Sequence, residues 1–244
     1  MRLSVVIPVY NEAGQIEDCL ASLRAQTRPA DEIIVVDNNC SDDTADRARR
    51  FGAHIVTQPV QGIWPARAAG FAAARGELLI GTDADARFPP DWLAKIEQLA
   101  RKRPDAVAFS GPGRFYDGGR LHNRLADFWY MSAYFKLVGA ALMTPPIFGS
   151  NFALRAEAWR AVRETVHLDV PEIHDDIDLS YHLLPLGAIV HDHGMANFIS
   201  IRPLRSMRQM MRRYRRGFRS IFLHWPQQAP WRLYMERRSR RPRG

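Results

Sequence analysis

Short β-branched runs alternate with stretches of helical spacing through the first half of the chain, and that alternation points to a parallel sheet built from βα units. Leu3 to Val9, Glu32 to Asp37, His54 to Gln58 and Leu78 to Asp83 read as strands. Gln15 to Gln26 sets Ile16, Cys19, Leu20 and Leu23 at helical spacing, Asp42 to Phe51 reads as a helix capped by Ser41 or Asp42, and Pro90 suits the first turn of another. Open parallel sheets carry their sites at the carboxyl ends of the strands. Tyr10 to Glu12, Asp37 to Asp43 and Thr82 to Arg87 all fall there.

The charge is divided along the chain. Residues 193–244 hold 14 Arg, no Lys and one acid, Glu236, for a net +13, while the remainder, 20 bases against 25 acids, carries −5. From Leu204 to Trp225 apolar residues recur at helical spacing with arginines between them, the pattern of a basic amphipathic helix suited to an anionic membrane surface. Packing of its apolar face on the body is the competing expectation. Nucleic acid is disfavoured as the partner, since no nucleic-acid motif accompanies the arginines. Leu121 to Met143 is apolar enough to raise a membrane span, but Asp127 and Lys136 would each cost roughly 2.5–3.5 kcal/mol inside the bilayer, so a buried or interface-lying helix is expected. Two cysteines outside any metal-binding spacing fit a reducing compartment, and the apolar run after Met1 is too short for a signal core, so a cytoplasmic location is expected.

Three segments carry the chemistry. SVVIPVYNE, Ser4 to Glu12, is a strand running into a polar turn, and VVDNN, Val35 to Asn39, ends a strand on an acid that can meet a nucleobase or ribose or can simply start a turn. In GTDADARF, Asp83 and Asp85 flank the small Ala84 at the end of an apolar strand. Two carboxylates held that close repel unless a cation joins them, and Mg²⁺ or Mn²⁺ takes such acids together with substrate phosphate oxygens.

In this order and spacing the motifs resemble those of the inverting family-two glycosyltransferases of the A-type nucleotide-diphospho-sugar fold, over roughly Leu3 to Arg202. The resemblance implies an α/β catalytic domain over 1–202, with a nucleotide-sugar half at 1–110, an acceptor half at 111–202, and a basic helical tail at 203–244. It implies transfer from a UDP- or GDP-sugar to a hydroxyl or phosphate of an acceptor, many family members using lipid-linked ones. A nucleotidyltransferase of similar architecture, whose glycine- and lysine-containing phosphate loop is missing here, and a non-catalytic nucleotide-sugar or membrane-binding protein are the alternatives.

Carried over residue by residue, the resemblance assigns Pro8, Tyr10, Glu12 and Asp37 to the base and ribose, and Asp83 and Asp85 to the divalent metal. Arg67, in QGIWPARAAGFAAARGE, falls to the donor phosphates or base, with Ala68 where the family usually has Asn. Gly149, Ser150 and Asn151 of FGSNFALR match a turn approaching donor and acceptor. In IHDDIDLSYHLLPLG, Asp176 takes the position of the catalytic base, and Asp175 replaces the usual Glu beside it. His191 is a candidate further metal ligand. Arg202, in FISIR, is a candidate phosphate contact.

Overall fold

The computed structural model describes residues 1–240, so the end of the expected tail, 241–244, lies outside the described residues. Among the described residues nine strands form, β1 (Leu3–Val9), β2 (Glu32–Asp37), β3 (His54–Thr57), β4 (Leu78–Thr82), β5 (Ala106–Ser110), β6 (Gly113–Phe115), β7 (Asn151–Arg155), β8 (Ala188–His191) and β9 (Asn197–Ile199). Seven make one sheet in the order β3-β2-β1-β4-β7-β5-β8, and β6 pairs with β9 apart from it. All neighbours in the large sheet are parallel except β7, which runs against both β4 and β5. The expected mostly parallel α/β architecture is therefore present, and the four strands anticipated in the first half stand within a residue of their expected ends.

Alternation along β1 explains the layering. Leu3, Val5, Ile7 and Val9 face a core shared with Ile16, Cys19, Leu20 and Leu23 of α1 (Ile16–Arg24), whereas Val6 turns to the other face. Helix α2 (Thr44–Arg50) lies on the first face as well, but Asp43, not Ser41 or Asp42, stands at its cap, and Asp42 receives the Thr44 N–H at 3.1 Å. Helices α3 (Ile63–Ala73) and α4 (Trp92–Lys102) cover opposite faces, through Trp64 and Phe71 on one and Trp92, Leu93 and Ile96 on the other.

The expected long helix after Leu121 is built as α5 (Arg120–Ala126), a π-helical turn at Asp127–Met131, and α6 (Ser132–Leu142). It lies on the surface of the domain: Met131, Val138 and Leu142 are buried, while Leu121, Leu125, Phe128, Trp129 and Leu137 stand in solvent. Asp127 accepts the Phe115 N–H at 2.8 Å, a polar role on the surface of the domain. Helix α7 (Ala156–Val162) follows β7, and α8 (Asp175–Leu183) precedes β8.

The basic segment forms α9 (Met207–Leu223) and α10 (Pro230–Arg240), and its orientation inverts the usual amphipathic arrangement. Ser220 and His224 are buried, Arg213, Arg216, Gly217 and Ile221 are half-buried, and Met207, Met211, Tyr214, Phe218 and Phe222 form an exposed stripe. Most of the apolar face therefore stays off the body: Ile221 packs against the cluster around Val138 and Tyr181, and small residues, His224 and half-buried arginines make the rest of the contact. Among the described residues no helix is long and apolar enough to cross a membrane.

Candidate active site

Register places the site. β1 pairs with both β2 and β4, so Tyr10 to Glu12, the loop after Asp37, and Asp83 with Asp85 emerge along one edge. Because β7 runs the other way, its first residue arrives at the same edge: Asn151 pairs with Thr82, and the Thr82 hydroxyl donates to the Ser150 carbonyl at 2.8 Å. Gly149 and Ser150 thereby stand beside Asp83, and the Ser150 hydroxyl donates to Asp83 Oδ2.

Arg67 lies beneath these residues, 1% exposed. Its Nη2 donates to Asp83 Oδ1 at 3.0 Å and its Nη1 to the Gly149 carbonyl. Its Nε is 3.0 Å from Asp175 Oδ2, an ion-pair contact in which the N–H is not aimed along the line to the oxygen. The guanidinium also lies over the Phe152 ring, 5.3 Å from its centre. Gly81 makes room for this arrangement, since a Cβ there would come within 2.4 Å of Phe152. The structure thus occupies Arg67 in joining acids from two halves of the site, where the sequence suggested a donor contact.

Asp176, on the first turn of α8, accepts from Gly149 N–H at 2.8 Å and from the Tyr134 hydroxyl at 2.9 Å through Oδ2, and from Ile177 N–H at 2.8 Å through Oδ1. Gly149 can approach this closely because it has no Cβ, which would meet Asp176 Oδ2 at 3.1 Å. Burial, then the neighbouring Asp176, raises the Tyr134 phenol well above its ordinary range, so it remains a donor.

Arg202 Nη2 reaches Glu12 Oε2 at 2.9 Å and Asp85 Oδ2 at 3.1 Å. Burial, with Asp83 adding to it, pushes the Asp85 carboxyl up to about 6 against the pull of Arg202. Three carboxylates, Glu12, Asp83 and Asp85, thus converge on one cleft.

Three cavities meet at Asp83. A cleft of about 640 Å³ is lined by Pro8, Tyr10, Glu12, Asp85 and Arg202 among others. A groove of about 400 Å³ runs the other way between α6 and α9, past Asp175 and Asp176 to Leu137, Phe218 and Phe222. A narrow recess of about 50 Å³ lies between them, and Asp83 and Arg213 line all three.

Three expected residues stand elsewhere. Asp37 Oδ1 accepts Cys40 N–H at 2.9 Å in a turn, and its neighbour Asn38 lines the cleft in its place. Asn151 is fully buried and committed to structure, donating to the Met195 and Pro112 carbonyls at 2.7 and 3.1 Å and accepting from Trp92 Nε1 at 3.1 Å. His191 packs on Phe135, ring centres 4.3 Å apart, and lines none of the three cavities, so the structure does not bring it to the acids. Conversely, Tyr134 and Arg213 belong to the site though neither stands out in the sequence. Arg213 was hidden among arginines whose helical face could be read but whose direction could not.

The sheet order, the reversed β7 and an acid pair at the end of β4 define an A-type glycosyltransferase fold. The profile of "Glycosyl transferase family 2" matches residues 4–161, and the chain belongs to that family. Glycosyltransferase AglE of Haloferax volcanii is 31% identical over 138 residues, 53% of this chain and 45% of that protein. The undecaprenyl-phosphate 4-deoxy-4-formamido-L-arabinose transferase of Sodalis glossinidius is 28% identical over 151 residues, 58% of this chain and 43% of its own. The chain therefore spans less than half the length of these relatives. Mannosyltransferase PcManGT from Pyrobaculum calidifontis, solved in complex with GDP-Man and Mn²⁺, superposes with a TM-score of 0.73 at 24% identity, covering 96% of this chain and 68% of that one. At that identity the likeness concerns the fold.

Proposed function

We propose that the chain transfers a sugar, with inversion, from a nucleoside-diphosphate donor to a hydroxyl of a lipid-linked acceptor at a membrane surface. The observation that carries this is the meeting of a polar cleft and an apolar groove at Asp83, with Asp176 on the groove side. Pro8, Tyr10 and Asn38 offer walls to a nucleotide, and Arg213 stands where a diphosphate would cross from one cavity to the other.

Glu12, Asp83 and Asp85 are hard oxygen donors, one of them, Asp85, raised to about 6 by burial and by the neighbouring Asp83, and they fit a Mg²⁺ or Mn²⁺ ion. Such an ion supplies charge neutralisation to the departing diphosphate. Asp176 takes the proton of the acceptor hydroxyl as its oxygen bonds to the anomeric carbon and the bond to the diphosphate breaks. Base and leaving group occupy opposite sides of the sugar, which inverts the anomeric centre. The Gly149 N–H and Tyr134 hydroxyl orient the Asp176 carboxylate toward the groove.

The lipid assignment rests on the walls. Leu137 on α6 and Phe218 and Phe222 on α9 flank the groove and are each more than half exposed, at 63, 57 and 56%. The outer stripe of α9 and the exposed Phe128 and Trp129 continue that apolar surface, and patches of this kind mark membrane contact. This surface together with the arginines supports a peripheral position on the inner face of the cytoplasmic membrane. An undecaprenyl-phosphate transferase among the relatives supports a lipid acceptor, and GDP-Man with Mn²⁺ in the structural neighbour supports a nucleoside-diphosphate-sugar donor with a divalent metal.

The test is to incubate the chain with radiolabelled UDP- and GDP-sugars, Mg²⁺ or Mn²⁺, and polyprenyl-linked acceptors in detergent. Label is expected in the organic phase together with free nucleoside diphosphate. A chain that neither consumes nor is thermally stabilised by any nucleotide-sugar would overturn the proposal.

A further inference from the structure

Behind the catalytic acids, three histidines from separate segments converge on one buried carboxylate. His167 lies in the loop after α7, Asp178 and His182 share a face of α8 at i and i+4, and His224 caps the end of α9. One ligand atom from each lies within 4.8 Å of all the others. We infer that His167, Asp178, His182 and His224 form a second metal site, tetrahedral and selective for Zn²⁺ or a cation of similar preference, that fastens α9 to the helix carrying Asp175 and Asp176.

The geometry is close to what such an ion requires. Four ligands at about 2.0–2.1 Å from a tetrahedral centre stand roughly 3.4 Å apart. Here His167 Nδ1 and His182 Nε2 are 3.4 Å apart. Asp178 Oδ1 is 2.7 Å from His167 Nδ1, 3.0 Å from His224 Nε2 and 3.7 Å from His182 Nε2. Small rotations of the rings would even these distances.

The surrounding contacts resemble those that orient metal ligands. Asp178 Oδ2 is held apart from the cluster by Trp64 Nε1 at 2.9 Å and the His167 backbone N–H at 3.0 Å, which aims Oδ1 at the imidazoles. His182 Nδ1 contacts the Thr165 hydroxyl at 3.1 Å, fixing its ring while Nε2 faces inward. Asp178 is fully buried and His224 nearly so, whereas the His167 side chain is 33% exposed and gives solvent access from one side.

Ligand chemistry separates this site from the catalytic one. Three imidazoles and one carboxylate suit Zn²⁺ or Co²⁺, while the oxygen-only set of Glu12, Asp83 and Asp85 suits Mg²⁺ or Mn²⁺. All four ligands come from the chain, which is the closed arrangement of a structural site. Its consequence is mechanical: α9, one wall of the groove, is tied to α8 through the ion.

The experiment uses the full chain without a histidine tag, stripped with a chelator and then titrated with Co²⁺. We expect one equivalent to bind with the visible absorption bands of tetrahedral Co²⁺, Zn²⁺ to displace it, and the thermal midpoint to rise with either ion. His167→Gln and His182→Gln should each weaken Co²⁺ binding by at least about 100-fold, the upper end of what losing even an outer-shell partner costs. Because His167 is partly exposed, His167→Gln with an unchanged circular dichroism spectrum separates ligand loss from misfolding. Asp83→Ala/Asp85→Ala should retain the tetrahedral bands. Absence of those bands from the unsubstituted chain, or their survival in both histidine variants, would show the cluster to be a hydrogen-bond network only.

Discussion

Arg67 Nε stands 3.0 Å from Asp175 Oδ2, joining the α3 helix in the first half of the chain to the first turn of α8 in the second. The same guanidinium holds Asp83, so one buried cation sets the spacing between the acid pair after β4 and the acids of α8.

Replacing Arg67 by Met keeps much of the length and removes the charge. Breaking a buried pair by deleting one partner costs about 3–5 kcal/mol, and we expect Arg67→Met to lower stability in urea by that order. A loss no greater than the roughly 0.5 kcal/mol of an ordinary surface change would mean that the acids do not depend on Arg67.

Asp83→Ala and Asp85→Ala should each abolish Mg²⁺- or Mn²⁺-dependent binding of nucleoside diphosphate. Titration calorimetry with and without metal checks this. Equal affinity in both variants and the unsubstituted chain would remove the two acids from the metal site.

Asp176→Asn is nearly isosteric and should leave donor binding intact while lowering turnover by about 10² or more, the lower range for loss of a general base. Asp175→Asn should be milder in turnover. The pair also distinguishes acceptors: a phosphate acceptor is already an anion and needs no base, so full turnover by Asp176→Asn would shift the assignment from a hydroxyl to a phosphate.

The stripe on α9 predicts membrane binding through two separable forces. Phe218→Ser with Phe222→Ser should weaken sedimentation with anionic vesicles by at least about tenfold, since burying each phenyl ring is worth roughly 1.5–3 kcal/mol. Binding of the unsubstituted chain should fall with salt, each arginine near the surface contributing about 1 kcal/mol. Point substitutions are preferable to removing α9, because its arginines line the active cleft. A chain that stays in the supernatant with anionic vesicles at low salt would leave the exposed stripe needing another partner.

Sequence periodicity located the strands β1, β2 and β4 because their runs alternate with helices and stop at turn-forming residues. It did not find β7, whose NFALR is too short to carry a pattern and whose antiparallel direction depends on tertiary pairing. The same limit applies to α9. Its two faces were legible, but which one meets the body depends on Asp83, Asp176 and Glu172, charges contributed from far along the chain that face the half-buried Arg213 and Arg216. The roles of Arg67 and Asn151 were also beyond the motif. Family spacing places both near the substrate, whereas their buried partners, Asp175 and Trp92, become neighbours only on folding. The His167, Asp178, His182 and His224 cluster left one local trace, the i and i+4 spacing of Asp178 and His182.

Arg202 gives the acids of the polar cleft their own resident counterion. It arrives from the segment that leads into α9 and balances Glu12 and Asp85 with a charge covalently tied to the chain. A divalent ion bound by those acids would compete with Arg202 for Glu12 and Asp85, leaving its guanidinium free to meet a diphosphate. Donor arrival would then be an exchange of cations rather than the filling of a bare acidic hole, made at a residue just ahead of Met207, where α9 begins.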